Sequence, residues 1–170
     1  MTPRALGGSI AFAIFVADQA AKAAVLSRLG QSVQESTHLA PFIDLTLRRN
    51  RGISFSLFVQ GTQLGRAALL ALTVAAILLL SWWLWRSRSN LATAGLGAIV
   101  GGALGNAFDR IVHGAVVDFL DLHAFGRHFF VFNVADAAIN LGVVLLMIDF
   151  LFVSRLTNNP NKTATTPGAR

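Results

Sequence analysis

Four long apolar runs alternate with polar stretches along the chain. The first covers about residues 5–26 and the second 67–85, the latter without a charge. The third, 91–108, is also uncharged and carries Gly95, Gly97, Gly101, Gly102 and Gly105, with Ala98 beside them. The fourth, 134–153, is interrupted by Asp136, Asn140 and Asp149, and so reads as the weakest. A bilayer core about 30 Å thick needs about 20 apolar residues in helical form. The pattern therefore predicts an all-α membrane protein with four transmembrane helices, at about 5–26, 67–85, 91–110 and 134–153. Small residues at the density of the third run let helices approach closely in lipid. A phosphate loop is the poorer reading, since no Gly-Lys-Ser/Thr closes the run.

The stretches between the runs differ in kind. In the first long loop, about 27–66, Phe42-Ile43-Asp44-Leu45-Thr46-Leu47 alternates apolar with polar residues, and Gly52 and Gly61 act as breakers. Such a pattern predicts short strands, hence a small β-containing extracytoplasmic subdomain in that loop. The second loop, about 111–133, holds Gly114 and Gly126 and the aromatics Phe125, Phe129, Phe130 and Phe132, which suit a membrane interface. Residues 1–156 are expected to form one membrane domain, and the Asn-, Thr- and Pro-rich tail 157–170 to be disordered. Arg4 followed by an apolar run resembles a secretory signal. The run is too long, holds Asp18 and Lys22 and has no small-x-small cleavage site after it, so it is kept as a membrane helix.

Composition agrees. The 170 residues are 54% hydrophobic and 13% charged, against about 45–50% and 25% in soluble domains. The formal charge of +6 would favour nucleic acid only if the basic residues shared a surface, yet Arg48, Arg49 and Arg51 are the one tight group. No nucleic-acid partner is expected. The absence of cysteine excludes disulfides, thiolate zinc sites and a cysteine nucleophile. Four crossings put both termini on one side with residues 86–90, and the two long loops on the other. Counting Arg and Lys outside the spans gives six on each side. Because short loops and helix flanks weigh most, the termini are placed in the cytoplasm.

That arrangement gathers the unusual polar residues at one face. Asp18 and Lys22 lie in the outer half of the first helix, Asn106, Asp109 and Arg110 end the third, and Asn133 and Asp136 open the fourth. Asn50, Arg51 and Asp118 belong to the loops on that side. Ionisable groups at membrane depth are costly, so a functional site is the first hypothesis. His38, His113, His123 and His128 lack the His-Glu-x-x-His spacing of a zinc protease, and His113, His123 and His128 read as interfacial residues. Neither Ser54 nor Ser56 sits in a nucleophile turn. No metal or cofactor is expected. Two neighbouring carboxylates can share a proton and act as acid and base. Asp118 and Asp136, each flanked by apolar residues, form the best pair, although a first-turn Asp is favoured by the helix dipole alone. Asp109, followed by Arg110, is read as ion-paired. Asp18 and Lys22, four apart on a helix, are read as a structural pair in which loss of one strands the other.

Five segments in order carry a resemblance: Asp18-Gln19-Ala20-Ala21-Lys22; Asn50-Arg51-Gly52 followed by Phe55-Ser56; Gly101-Gly102-Ala103-Leu104-Gly105-Asn106-Ala107-Phe108-Asp109-Arg110; Val116-Val117-Asp118-Phe119; and Phe132-Asn133-Val134-Ala135-Asp136. Together they resemble the signature boxes of the lipoprotein signal peptidases (signal peptidase II). The resemblance implies an inner-membrane aspartyl endopeptidase that cuts prolipoproteins just before the diacylglyceryl cysteine, at the periplasmic face. It makes Asp118 and Asp136 catalytic, and Asn50, Gly52, Asn106, Asp109, Arg110 and Asn133 substrate-binding or supporting residues. Partners so implied are diacylglyceryl prolipoproteins, membrane lipid and globomycin-type inhibitors, acting on a monomer. Arg51 and Ile53 depart from the smaller residues more usual in the second box, and Ala137 stands where the family often has serine, which bears on substrate or inhibitor preference. A proton- or ion-coupled carrier would show polar residues across the midplane of several helices, which the second and third runs lack. A non-catalytic scaffold would leave the clustered Asp, Asn and Arg without a purpose.

Overall fold

The computed structural model describes residues 1–29, 37–51 and 63–157. Gly52, Ser54, Phe55, Ser56, Phe58 and Gly61, together with 158–170 of the expected tail, lie outside them. Four helices are long and apolar enough to cross a membrane: α1 (Pro3–Leu29), α2 (Gln63–Arg86), α3 (Asn90–His113) and α4 (Val134–Thr157). Four strands complete the described chain, β1 (Thr37–Ala40), β2 (Ile43–Asn50), β3 (Val116–Ala124) and β4 (Arg127–Phe132).

Local chemistry sets the helix ends. Pro3 occupies the first position of α1, where the missing N–H costs nothing. Ser89 caps α3 by accepting a hydrogen bond from the Ala92 amide at 3.2 Å, and Gly114 ends it at φ 69°, a left-handed conformation that suits glycine. At the end of the bundle away from the sheet, Arg4 Nε donates to the Trp85 carbonyl at 2.8 Å and Ser89 donates to Asp149.

The helices divide their surface unequally. α2 has the highest mean hydropathy, 2.3, with 6% of its apolar window buried, whereas α3 has the lowest, 1.4, with 72% buried. α4, which reads as the weakest run, reaches 2.0, because its three polar residues are outweighed by the aliphatic stretch between them. α2 is thus a lipid-facing helix and α3 the axis of the bundle. Glycine makes that possible: a Cβ on Gly101 would stand 2.5 Å from the Ala11 carbonyl of α1, and one on Gly102 would meet the Ala135 carbonyl of α4. α3 is therefore held backbone to backbone on both sides.

Both long loops build one antiparallel sheet of order β1-β2-β3-β4. The sequence pattern predicts strands in the first loop alone, and the second supplies the other two. Its β3, Val-Val-Asp-Phe-Leu-Asp-Leu-His-Ala, is apolar at most positions and its first four residues are buried, so it lacks the clean alternation of a half-exposed strand. The β3–β4 turn is Phe125-Gly126, both at positive φ (52° and 72°), the two-residue hairpin geometry that matches strand twist. Leu47, Val117 and Phe119 pack with Val25 of α1 into a core that seats the sheet on the bundle.

Candidate functional site

The sheet end of the bundle carries two polar layers. The upper one begins with Asp118 on β3, 3% exposed. Arg48 lies opposite Asp118 in the β2–β3 ladder and Asn50 opposite Val116, so Asn50 and Asp118 are diagonal neighbours on one face. Asn50 Nδ2 donates to Asp118 Oδ2 at 3.0 Å, and Asn133 Nδ2 donates to Asp118 Oδ1 at 2.8 Å.

Asn133 also opens α4. Its Oδ1 accepts from the Asp136 amide at 2.9 Å, while Asp136 Oδ2 accepts from the Asn133 amide at 3.3 Å. This reciprocal pairing of the cap residue with the third helical residue is a capping box. Asp136 is thereby fixed in position, and the same Asn133 touches Asp118. Asn106 Nδ2 of α3 donates to Asp136 Oδ1 at 2.9 Å, and Asn106 Oδ1 accepts from Asn133 Nδ2 at 3.2 Å. The side-chain partners of both carboxylates among the described residues are amides. Burial raises the Asp118 carboxyl from 3.8 to about 6, assisted by the nearby Asp136 charge and opposed by the hydrogen bonds of Asn50 and Asn133 and by Lys22.

The lower layer is ionic. Lys22 Nζ lies 2.7 Å from Asp18 Oδ2 and 2.7 Å from Asp109 Oδ2, and donates to Asn106 Oδ1 at 3.4 Å. Asp109 therefore pairs with Lys22 across the α1–α3 seam; adjacent helical residues such as Asp109 and Arg110 point in different directions. Gln19 Nε2 donates to Asp18 at 3.1 Å, to Asp109 at 3.1 Å and to the Gly105 carbonyl at 3.3 Å. The Gly105 Cα has no room for a methyl, since a Cβ would stand 2.5 Å from Asp18 Oδ2. Backbone donors add to these: Asp18 Oδ1, the oxygen not facing Lys22, accepts from the Ala135 amide at 2.9 Å, and Asp109 Oδ2, which also faces Lys22, accepts from the Val117 amide at 3.0 Å. One lysine thus faces two carboxylates, and the second negative charge is held by these amides, one of them at the positive end of α4. Gln19 and the two amides are absent from the sequence candidates; the one sequence signal for Gln19 is its place between Asp18 and Lys22.

Arg110 donates from Nη1 to the Asn106 carbonyl at 3.2 Å, and its buried Nε has no partner among the described residues. It lines a cavity of about 120 Å³ with Arg51, Arg66, Ala67, Leu69, Leu70 and Gly114. Gly52, a further candidate, lies outside the described residues. Structurally, the sequence candidates Asp18, Lys22, Asn50, Asn106, Asp109, Asp118, Asn133 and Asp136 are brought into one connected hydrogen-bond network.

Comparison with known proteins follows the same lines. The family described as Signal peptidase (SPase) II matches residues 10–152. A lipoprotein signal peptidase of Beijerinckia indica is 50% identical over 149 residues, covering 88% of this chain and 89% of that protein. One from Methylocella silvestris is 46% identical over 155 residues, covering 91% of each. A solved chain described as a bacterial membrane enzyme structure by the in meso method at 2.3 Å resolution superposes with a TM-score of 0.74 at 25% identity, covering 95% of this chain and 94% of that one.

Proposed function

Since the chain belongs to the signal peptidase II family, a family of proteases acting on lipoproteins, we propose that Asp118 and Asp136 are the catalytic pair of an aspartyl endopeptidase. Its substrate is a diacylglyceryl prolipoprotein, cut just before the lipidated cysteine at the outer face of the cytoplasmic membrane, with both chain termini in the cytoplasm. The observation that carries this reading is Asn133, which hydrogen-bonds both carboxylates and so holds them together without neutralising either.

The chemistry follows from that placement. Two carboxyls in one poorly hydrated site share a proton, because ionising both is costly. The ionised member removes a proton from water as the water oxygen bonds to the scissile carbonyl carbon, and the protonated member gives its proton to the carbonyl oxygen. Collapse of the tetrahedral intermediate breaks the carbon–nitrogen bond, with a proton passing to the leaving amine. Val117, buried beside Asp118, and Ala135, buried beside Asp136, limit water around the pair. Asn50, Asn106 and Asn133 orient the carboxylates, and Arg110 lines the cavity it shares with Arg51 and Arg66. The scissile bond of a substrate whose signal helix spans the core lies near headgroup depth, which matches a dyad formed by the start of β3 and the first turn of α4. Globomycin-type inhibitors would compete for this site, and the chain would act as a monomer.

Incubating the purified protein with a diacylglyceryl prolipoprotein and following the size shift on a gel tests the assignment. Asp118→Asn and Asp136→Asn should each lose the roughly 10²–10⁴-fold that acid–base catalysis supplies, with insertion unchanged. Retention of more than about a tenth of activity by either, well short of that range, would sink the dyad.

A further inference from the structure

On the sheet, away from the polar layers just described, the strands bring together a second set of titratable side chains. His38 of β1 lies opposite Asp44 of β2, and Asp44 opposite Asp121 of β3. His123 of β3 lies opposite His128 of β4. Asp44 and Asp121 are each 4% exposed. Like charges directly opposed in a sheet repel, and the ion-pair partners of both carboxylates among the described residues are histidines, not Lys or Arg.

Three potential ligand atoms converge at Asp44. Asp44 Oδ1 lies 2.5 Å from His38 Nδ1 and 3.0 Å from His123 Nε2, and these three atoms all fall within 4.8 Å of one another. The His123 nitrogen has no aligned hydrogen-bond partner among the described residues, and neither does the buried Asp121 Oδ1. Ligand atoms around a tetrahedral zinc ion are roughly 3.3 Å apart, from bond lengths of about 2.0–2.2 Å. Small side-chain adjustments reach that spacing, and the His38 side chain, 83% exposed, is free to make them.

We propose that His38, Asp44 and His123 bind one divalent transition-metal ion of the zinc class, a site separate from the catalytic pair. Two imidazoles and a carboxylate suit such an ion, with solvent completing its shell. Asp121 and His128, joined at 2.9 Å, flank it and supply further negative charge. His123 follows Asp118 by five residues on β3, roughly 16 Å at about 3.3 Å per residue, too far for the ion to touch the reacting atoms. The ion ties β1, β2 and β3 together, linking the two long loops at their far edge. It binds the folded sheet and so raises its stability by mass action.

The test uses the full chain in detergent without a polyhistidine tag, stripped by chelator and titrated with Zn²⁺ alone by equilibrium dialysis. One equivalent should bind, and the thermal melt should rise. In His38→Ala/His123→Ala affinity should fall at least about 100-fold, beyond the 10–100-fold that loss of an outer supporting partner costs, while cleavage without metal stays at the parent level. Asp118→Asn/Asp136→Asn should bind as the parent does. X-ray absorption of the zinc-loaded parent should show two imidazoles, and this readout stands even if the histidine variant misfolds. Absence of saturable Zn²⁺ binding, undiminished binding by the histidine variant, loss of binding in the dyad variant, or a spectrum with fewer than two imidazoles would each overturn the proposal.

Discussion

The two polar layers at the sheet end use the same residue type to opposite ends. In the lower layer Asp18 and Asp109 each meet a lysine at 2.7 Å and a backbone amide. In the upper layer Asp118 and Asp136 meet the side chains of Asn50, Asn106 and Asn133. A full positive charge pairs with a buried carboxylate as a structural counter-ion. An amide orients a carboxylate while leaving its proton exchangeable, and burial then draws the Asp118 carboxyl up to about 6. On the proposed reading, what separates scaffold from chemistry is the partner, not the acid.

Replacing the lysine gives the largest effect on folding. Lys22→Met strands two buried carboxylates and should cost about 3–5 kcal/mol, read as a fall in the detergent melt, whereas Asp118→Asn should change the melt by no more than the roughly 0.5–1.5 kcal/mol of one hydrogen bond. Equal losses in the two variants would erase the distinction between the layers. Next in size is Asp18→Ala, which leaves Lys22 paired with Asp109 and should cost about 1–3 kcal/mol for its unmet amide donors. Sequence reasoning treats Asp18 and Lys22 as a closed pair and expects their joint exchange for apolar residues to be milder than Asp18→Ala. The observed triad reverses that order, because the joint exchange leaves Asp109 alone; a double variant more stable than the single one would contradict the triad.

The smallest effect is the most diagnostic. In the proposed mechanism the pair works with one proton, so kcat/KM should fall on the alkaline side as that proton leaves. Asn50 stabilises the ionised form of Asp118, lowering its pKa against the effect of burial. In Asn50→Ala the pKa should therefore rise and the alkaline limb move to higher pH. A limb that stays in place or moves down would show that Asn50 does not tune the pair.

Much of this architecture is legible in the amino-acid sequence. The bilayer imposes one length on every crossing helix, so α1 to α4 stand out as apolar runs whatever their detailed packing. Helix direction then brings Asp18, Asn106, Asp109, Asn133 and Asp136 to one end. β3 is hidden from the pattern because Val116, Val117, Asp118 and Phe119 are buried on both faces, which removes the alternation that betrays a strand, while β4, Arg-His-Phe-Phe-Val-Phe, lacks alternation although its first four residues are exposed. The partner of Asp109 is Lys22 and not its neighbour Arg110, because adjacency in sequence is not adjacency on a helix surface. The histidine cluster depends on strand register, since His38, Asp44 and His123 come from three strands.

Finally, the glycine contacts of α3 carry a meaning for rate as well as packing. Gly101 and Gly102 sit about 6–8 Å along the helix from Asn106, at 1.5 Å per residue, and a single added methyl at either would wedge α1 or α4 outward. Asn106, Asp136 and Asp18 ride on those three helices, so such a wedge becomes a misalignment around the proposed catalytic pair, where displacement of about 1 Å can cost 10²-fold in rate. The dimensional tolerance of the proposed catalytic pair is thus set partly by residues with no functional group at all, which no survey confined to chemically active side chains would find.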